Sequence, residues 1–227
     1  MGFCLAENPL PVNGFSFDLS GIVSDPVITV GLLLAMTQIE LIDDLLPQTQ
    51  CRQCGYDGCL AYARAIVEDG VPINRCAPGG QKGIDTIASA LGCPSLPLDP
   101  EYGQEVQLEV AHIVAENCIG CRKCVAVCPT GAIVGAPKRL HGIMTDWCTG
   151  CALCVTPCPV DCIEMVPAPF EWTQEKAHAA REHYREKCAR TTERESERLH
   201  RLNTDTKAAQ DKKQALIASI LAKVNQH

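Results

Sequence analysis

Between residues 118 and 158 eight cysteines fall in two rows of identical spacing, and any fold of this chain must accommodate them. The first row is Cys118, Cys121, Cys124 and Cys128, followed by Pro129; the second is Cys148, Cys151, Cys154 and Cys158, followed by Pro159. Each reads C-x2-C-x2-C-x3-C-P, the spacing that holds [4Fe–4S] clusters by four thiolates, one to each iron. Three cysteines spaced two apart curl around one face of a cubane, while the fourth faces away and reaches the neighbouring cluster. On that pattern Cys118, Cys121, Cys124 and Cys158 hold one cluster, and Cys128, Cys148, Cys151 and Cys154 hold its mate. Structural zinc sites use cysteine pairs separated by a long finger. A disulfide framework suits a small secreted chain, and nothing here resembles a signal peptide.

The period between the rows is thirty residues. Each half reads as strand, cluster loop with a short helix, then strand. Strands are expected near Val110–Ala115 and over Cys162–Val166, and a hairpin from Ala132–Ala136 and Ile143–Thr145.

A third cysteine set lies upstream: Cys51, Cys54, Cys59 and, after sixteen intervening residues, Cys76. Gly55 and Gly58 suit a tight turn around a sulfur-rich anion. The helix-forming run from Cys59 to Asp69, ended by Gly70, aims its N-terminus at the same place. C-x2-C-x4-C…C by itself fits a zinc site or another cluster type as well. Before it, Thr37–Leu46 reads as an amphipathic helix with Ile39, Ile42, Leu45 and Leu46 on one face, stopped by Pro47.

The order of these motifs carries a resemblance. L-L-P-Q-T-Q-C-R-Q-C-G-Y-D-G-C from Leu45, with I-N-R-C-A-P-G-G from Ile73, resembles the first iron–sulfur domain of the B subunit of the Rnf/Rsx electron-transport complex. The stretch from Asn117 to Ile163 is similar to that subunit's ferredoxin domain. The likeness covers about residues 41–167. It implies a third [4Fe–4S] cluster on Cys51, Cys54, Cys59 and Cys76. It also implies a role as an electron wire between soluble carriers and other subunits of a membrane complex.

The expected fold is α+β. A small helical [4Fe–4S] domain (36–92), a linker (93–107) and a pseudo-twofold 2[4Fe–4S] ferredoxin domain (108–168) precede a charged helical extension (169–227). Residues 1–35 are read two ways. Either the apolar run 27–36 is a short buried helix, or the protein naturally starts at Met36. That run is well short of the roughly 20 residues that span a bilayer, whereas members of the resembled family begin with a transmembrane anchor.

Sixteen cysteines in 227 residues, against 4% aromatics, mark a core built partly from cofactor. Residues 1–170 carry 8 Lys and Arg against 18 Asp and Glu, while residues 171–227 carry 12 against 9. Ligated thiolates make the body more acidic still. That disfavours nucleic acid and favours basic docking patches on redox proteins, a reductase and an acceptor. The tail reads as helix from Trp172, with stripes at Ala177, Ala180, Tyr184, Cys188 and at Ile217, Ile220, Leu221, Val224, and a break at Asn203–Thr206. Its basic balance leaves an alternative, an iron–sulfur regulatory or nucleic-acid-binding protein acting through that tail.

Glycines 79 and 80 read as a turn before a short helix from Ile84 to Leu91, since no phosphate-loop Lys-Ser or Lys-Thr follows. Of the remaining cysteines, Cys162 is expected to pack beside a cluster, and Cys4, Cys93 and Cys188 have no ligand spacing. No histidine has it either, and no catalytic residues are identified. The expectation is a cytoplasmic electron carrier with three [4Fe–4S] clusters, not itself an enzyme, with docking on the cytoplasmic face of an inner-membrane complex within its reach.

Overall fold

The computed structural model describes residues 38–224 of the chain; the run 27–36, a start at Met36, and Cys4 lie outside the described residues. The fold mixes helices with short strands. One compact unit runs as far as Lys187 and a second begins at Cys188.

The first unit contains two apolar cores. One is helical. Helix α1, residues 38–45, stops ahead of Pro47, whose ring cannot continue it. It buries Ile39 and Ile42, with Leu46 just past its end. Helix α2, Cys59–Glu68, ends where Gly70 turns left-handed at φ +66° and Val71 N–H closes back on Ala65 O at 3.1 Å. Helix α3 spans Gly80–Leu91, starting four residues ahead of the expected Ile84. The reason is Pro78, which presets φ within the single turn Ala77–Gly79, so the helix follows directly. Ile42, Leu46, Tyr62, Ile66, Ile84 and Ile87 meet between the three helices. Each such side chain contributes about 1.5–3 kcal/mol by leaving water. The Tyr62 hydroxyl donates to Pro72 O at 2.8 Å and accepts Arg75 N–H at 3.0 Å, which fixes the loop delivering Cys76.

The other core is small and sulfur-rich. Strand β1, Glu109–Ile113, pairs antiparallel with β4, Ile163–Pro167, setting Glu109 opposite Pro167 and Ile113 opposite Ile163. Strands β2, Ile133–Val134, and β3, Gly142–Ile143, form a separate two-residue hairpin. Helix α4 is only Lys123–Val127. Val110, Ala132, Ile133 and Ile163 share this core with six buried cysteines, Cys124, Cys128, Cys148, Cys154, Cys158 and Cys162.

Helix α5, Gln174–Val224, starts within the first unit. Trp172, just before it, donates its indole N–H to Pro47 O at 2.9 Å. Arg181 pairs with Asp43 at 3.5 Å and Asp44 at 2.9 Å. Lys187 donates to the carbonyls of Val125 (3.0 Å), Ala126 (3.2 Å) and Cys128, the oxygens that α4 leaves without helical partners. Ala177 and Ala180 of the expected stripe are buried, with Tyr184 half-buried.

In the second unit the helix runs on unbroken through residues 203–206, where a break was expected. The hydroxyls of Thr204 and Thr206 turn back onto the carbonyls of His200 (2.8 Å) and Leu202 (2.7 Å), so side chains that favour turns are absorbed into the helix. Arg198–Glu195 and Arg201–Glu197 pairs line its surface. Of the second expected stripe, Ile217 is exposed; the other side chains lie outside those described. No helix among the described residues is long and apolar enough to cross a membrane.

Candidate metal centres

Three hollows in the first unit are each lined by four of the twelve cysteines singled out by spacing. Cys51, Cys54, Cys59 and Cys76 surround one. Cys118, Cys121, Cys124 and Cys158 surround a second. Cys128, Cys148, Cys151 and Cys154 surround a third. The fourth cysteine of each row thus lines the hollow of the other row. The thiols stand around these spaces, and among the described residues no three His, Cys, Asp or Glu side chains form a group that could hold a single metal ion. A donor set of four thiols per hollow, with largely apolar neighbours, fits a four-iron cluster bound one thiolate to each iron.

The loops are bent into place by left-handed residues. In the two rows Gly120 and Gly150 have φ of +69° and +71°, and the residues after the second cysteines, Arg122 and Ala152, have +64° and +55°. The glycines are also needed for space. A Cβ at Gly120 would lie 2.5 Å from the backbone nitrogen of Arg139, and one at Gly150 would lie 2.3 Å from Glu109 O. The cluster loops therefore press directly on the hairpin and on β1. One-turn 3₁₀ segments, Ala115–Asn117 and Thr145–Trp147, lead into Cys118 and Cys148 alike.

The upstream loop is held by side chains. Gln48, Gln50 and Arg52 all have positive φ, a conformation costing about 1–3 kcal/mol apiece unless the surroundings impose it. A buried relay imposes it on the glutamines. Gln48 donates to Asp43 Oδ1 at 2.9 Å, Gln50 donates to Gln48 Oε1 at 2.8 Å, and Gln50 Oε1 accepts Cys59 N–H at 2.9 Å. Gly58 differs from the expected turn role. Its backbone is extended at φ −178°, and glycine serves there because a Cβ would approach Gln50 Oε1 to 2.8 Å.

Burial raises the pKa of six of the twelve thiols, with at least one in each hollow. Cys76 is pushed up to about 12, Cys151 to about 11 and Cys154 to about 12, with neighbouring cysteines adding to the effect. Cys54, Cys59 and Cys124 move the same way, again chiefly by burial. Cys158 moves the opposite way. Burial would raise it, but the N–H groups of Val160 and Cys162 and the Cys162 thiol together hold it below the ordinary thiol value. Cys162 N–H lies 3.4 Å from Cys158 Sγ, and the two sulfurs are 3.5 Å apart. Cys162 is buried against a hollow, as expected, and its own pKa rises to about 12, first through burial and then through Cys158. Cys93 is exposed, Cys188 is buried, and neither lines a hollow.

One residue at the site has no signal among ligand spacings. His141 is 3% exposed, lines the hollow of Cys118, and places Nδ1 3.8 Å from Cys118 Sγ and 3.7 Å from Cys124 Sγ. The clue available in the sequence is the thirty-residue period, which sets position 141 against position 111. Ala111 lines the hollow of Cys148 and directs its backbone N–H at Cys148 Sγ, 3.4 Å away.

Known proteins match the same stretches. Residues 111–165 match the family described as "4Fe-4S dicluster domain", and residues 46–78 match that described as "Putative Fe-S cluster". Similar curated proteins share one name, that of the B subunit of the ion-translocating oxidoreductase complex. The protein of Hahella chejuensis is 53% identical over 131 residues, 58% of this chain and 66% of its own length. That of Cronobacter sakazakii is 50% identical over 57% of this chain and 68% of its own. That of Edwardsiella ictaluri is 54% identical over 58% and 69%. The chain thus spans about two thirds of the length of these relatives.

Proposed function

Because this chain belongs to the family of B subunits of ion-translocating oxidoreductase complexes, we propose that it relays single electrons through three [4Fe–4S] clusters. The observation that carries the reading is the sorting of twelve cysteines into three hollows of four. Cys51, Cys54, Cys59 and Cys76 hold the first cluster. Cys118, Cys121, Cys124 and Cys158 hold the second, and Cys128, Cys148, Cys151 and Cys154 the third. Each cluster supplies a site that takes up and gives back one electron, while the chain supplies thiolates, N–H donors and a shell that limits water.

The reading extends to the architecture. Two separate cores support domains over 36–92 and 108–168, joined by 93–107. The repeated left-handed pairs 120/122 and 150/152, with the matching 3₁₀ turns, support a pseudo-twofold ferredoxin domain. Residues from 169 on form the helical extension. Thr149, between two cysteines of the third cluster, bonds to Thr49, two residues before Cys51. That contact supports a row in which the third cluster stands between the first and the second.

Catalysis belongs to partners. A reductase and an acceptor exchange electrons with the chain, and it docks to membrane subunits from the cytoplasmic face. The test is metal content after anaerobic preparation. About twelve irons and twelve sulfides per chain are expected from three four-iron clusters. About eight would remove the first cluster from the reading, and stoichiometric zinc without sulfide would overturn it. Rapid reduction by a ferredoxin or flavoprotein reductase, with onward transfer, checks the role as a relay.

A further inference from the structure

We propose that His141 raises the reduction potential of the cluster held by Cys118, Cys121, Cys124 and Cys158, by donating a hydrogen bond from Nδ1 to the sulfurs of Cys118 and Cys124. The inference rests on the reading that these four cysteines hold a cluster.

Thiolate sulfurs are acceptors only. A ring nitrogen 3.7 and 3.8 Å from two of them therefore interacts favourably only when it carries the proton. The ring is buried and its Nε2 has no hydrogen-bond partner among the described residues. Among the described residues the two sulfurs are therefore the polar partners for which an imidazole is kept here. A leucine or phenylalanine would fill the space without burying a polar atom. The ring is also positioned tightly. Gly135 lies beneath it, and a Cβ at that residue would come 1.8 Å from His141 Cδ2.

When an external one-electron reductant reduces the cluster, one electron enters, no bond is made or broken, and no proton need move. The cluster and its thiolates gain one negative charge. An N–H dipole aimed at the ligand sulfurs stabilises the more negative state more than the less negative one, so the potential rises. At the matching position of the other row stands Ala111, whose side chain has no donor and whose backbone N–H meets Cys148 Sγ at 3.4 Å. The Thr130 hydroxyl there lies 3.8 Å from Cys128 Sγ, but it donates its hydrogen to Trp147 O at 2.8 Å. The two rows are alike in their cysteines and differ at this position, which gives the second cluster a histidine donor that the third lacks.

The experiment uses the full chain, prepared anaerobically with its clusters and titrated potentiometrically under electron paramagnetic resonance. His141→Leu should lower one midpoint, the one that Cys121→Ser abolishes, and leave the other two in place with iron content unchanged. Gly135→Ala, which displaces the ring while keeping it, should lower the same midpoint. His141→Asn, whose amide N–H takes the place of Nδ1, should restore most of the shift. Three unmoved midpoints in both His141→Leu and Gly135→Ala, at full iron content, would overturn the proposal. If the leucine variant cannot keep its clusters, the natural chain labelled with ¹⁵N-histidine decides. A hyperfine coupling from one histidine nitrogen to a single reduced cluster is expected, and no coupling overturns the assignment. Iron and sulfide counts well below twelve would instead count against the three-cluster reading itself.

Discussion

The hydroxyl of Thr149 donates to the backbone carbonyl of Thr49 across 2.9 Å, joining two cysteine loops one hundred residues apart. Both threonines are buried, at 4% and 5% exposure, so this bond forms out of reach of water. Thr149→Val keeps the shape and removes the donor. Leaving the Thr49 carbonyl without it should cost about 1–3 kcal/mol. Denaturant titration of the loaded chain checks the stability. Rapid-mixing kinetics should show slower exchange between the first cluster and the other two. Unchanged stability and unchanged exchange would remove this bond from the account.

Arg181 and Asp43 invite a double-mutant cycle. Asp43 is 3% exposed and sits at the head of the relay that reaches Cys59 through Gln48 and Gln50. Arg181→Ala withdraws the guanidinium from a buried carboxylate, which should destabilise the chain by about 3 kcal/mol. Asp43→Asn should cost less, because the Gln48 bond can persist on an amide oxygen. The two changes together should cost less than their sum, with a coupling of about 0.5–3 kcal/mol. Strict additivity would mean that the pair, at 3.5 Å, makes no energetic contact.

How much of this was legible follows from the range of each constraint. The cysteine rows were readable because their spacing is local and their chemistry allows few substitutes; likewise Ile39, Ile42 and Leu46 mark a buried face, as the structure has it. The set ending at Cys76 needed a family resemblance, since a sixteen-residue gap fixes no geometry. Thr49 and Thr149 carry no mark, because a hydroxyl-to-carbonyl bond between distant loops depends on tertiary packing alone. His141 escaped for a different reason. It lines a cysteine hollow through hydrogen-bond contact, and ligand spacing does not test for donors. Local propensity misled at Asn203–Thr206, where threonine hydroxyls found acceptors inside the helix.

Lys187 is expected to matter beyond its charge. Its ammonium satisfies carbonyls at the end of α4, a five-residue helix too short to be stable alone. Lys187→Met retains the apolar stem and removes the donors. The loss should be about 1–3 kcal/mol, felt first at α4, the Cys124 it carries and Cys128 just past its end. Hydrogen exchange should show faster opening of residues 123–128 than of β1. Equal protection in the variant and the natural chain would contradict this role.

The exchange of fourth cysteines between rows makes two single variants diagnostic. Cys158→Ser should disturb the cluster beside His141 and leave the one beside Ala111, while Cys128→Ser should do the reverse. Each variant should retain about eight of twelve irons. Electron paramagnetic resonance of the reduced proteins, compared with the signal that responds to His141, tells the two apart. If Cys158→Ser instead removed the cluster of Cys148, Cys151 and Cys154, each row would close on itself and the crossed arrangement would be wrong.

Protons should leave the chain as clusters form, in numbers set by the buried thiols. Iron binds the thiolate, yet burial holds Cys76 and Cys154 up to about 12 and Cys151 to about 11, so near pH 8 these groups are protonated in the folded metal-free chain. Loading must then expel close to one proton per such thiol, and cluster affinity should rise with pH. The metal-free fold has the opposite dependence. A folded pKa raised above the unfolded value, about 8.5 for a thiol, gives stability that is complete below that value. It is lost as pH climbs toward 11 and 12. The loaded chain, whose thiols are already ionised, should not share this loss. Anaerobic reconstitution in weakly buffered indicator dye measures the protons, and paired denaturation curves from pH 7 upward compare the two forms. Loading without proton release, or a metal-free fold that strengthens toward pH 10, would show that the hollows hold their cysteines as thiolates before iron arrives.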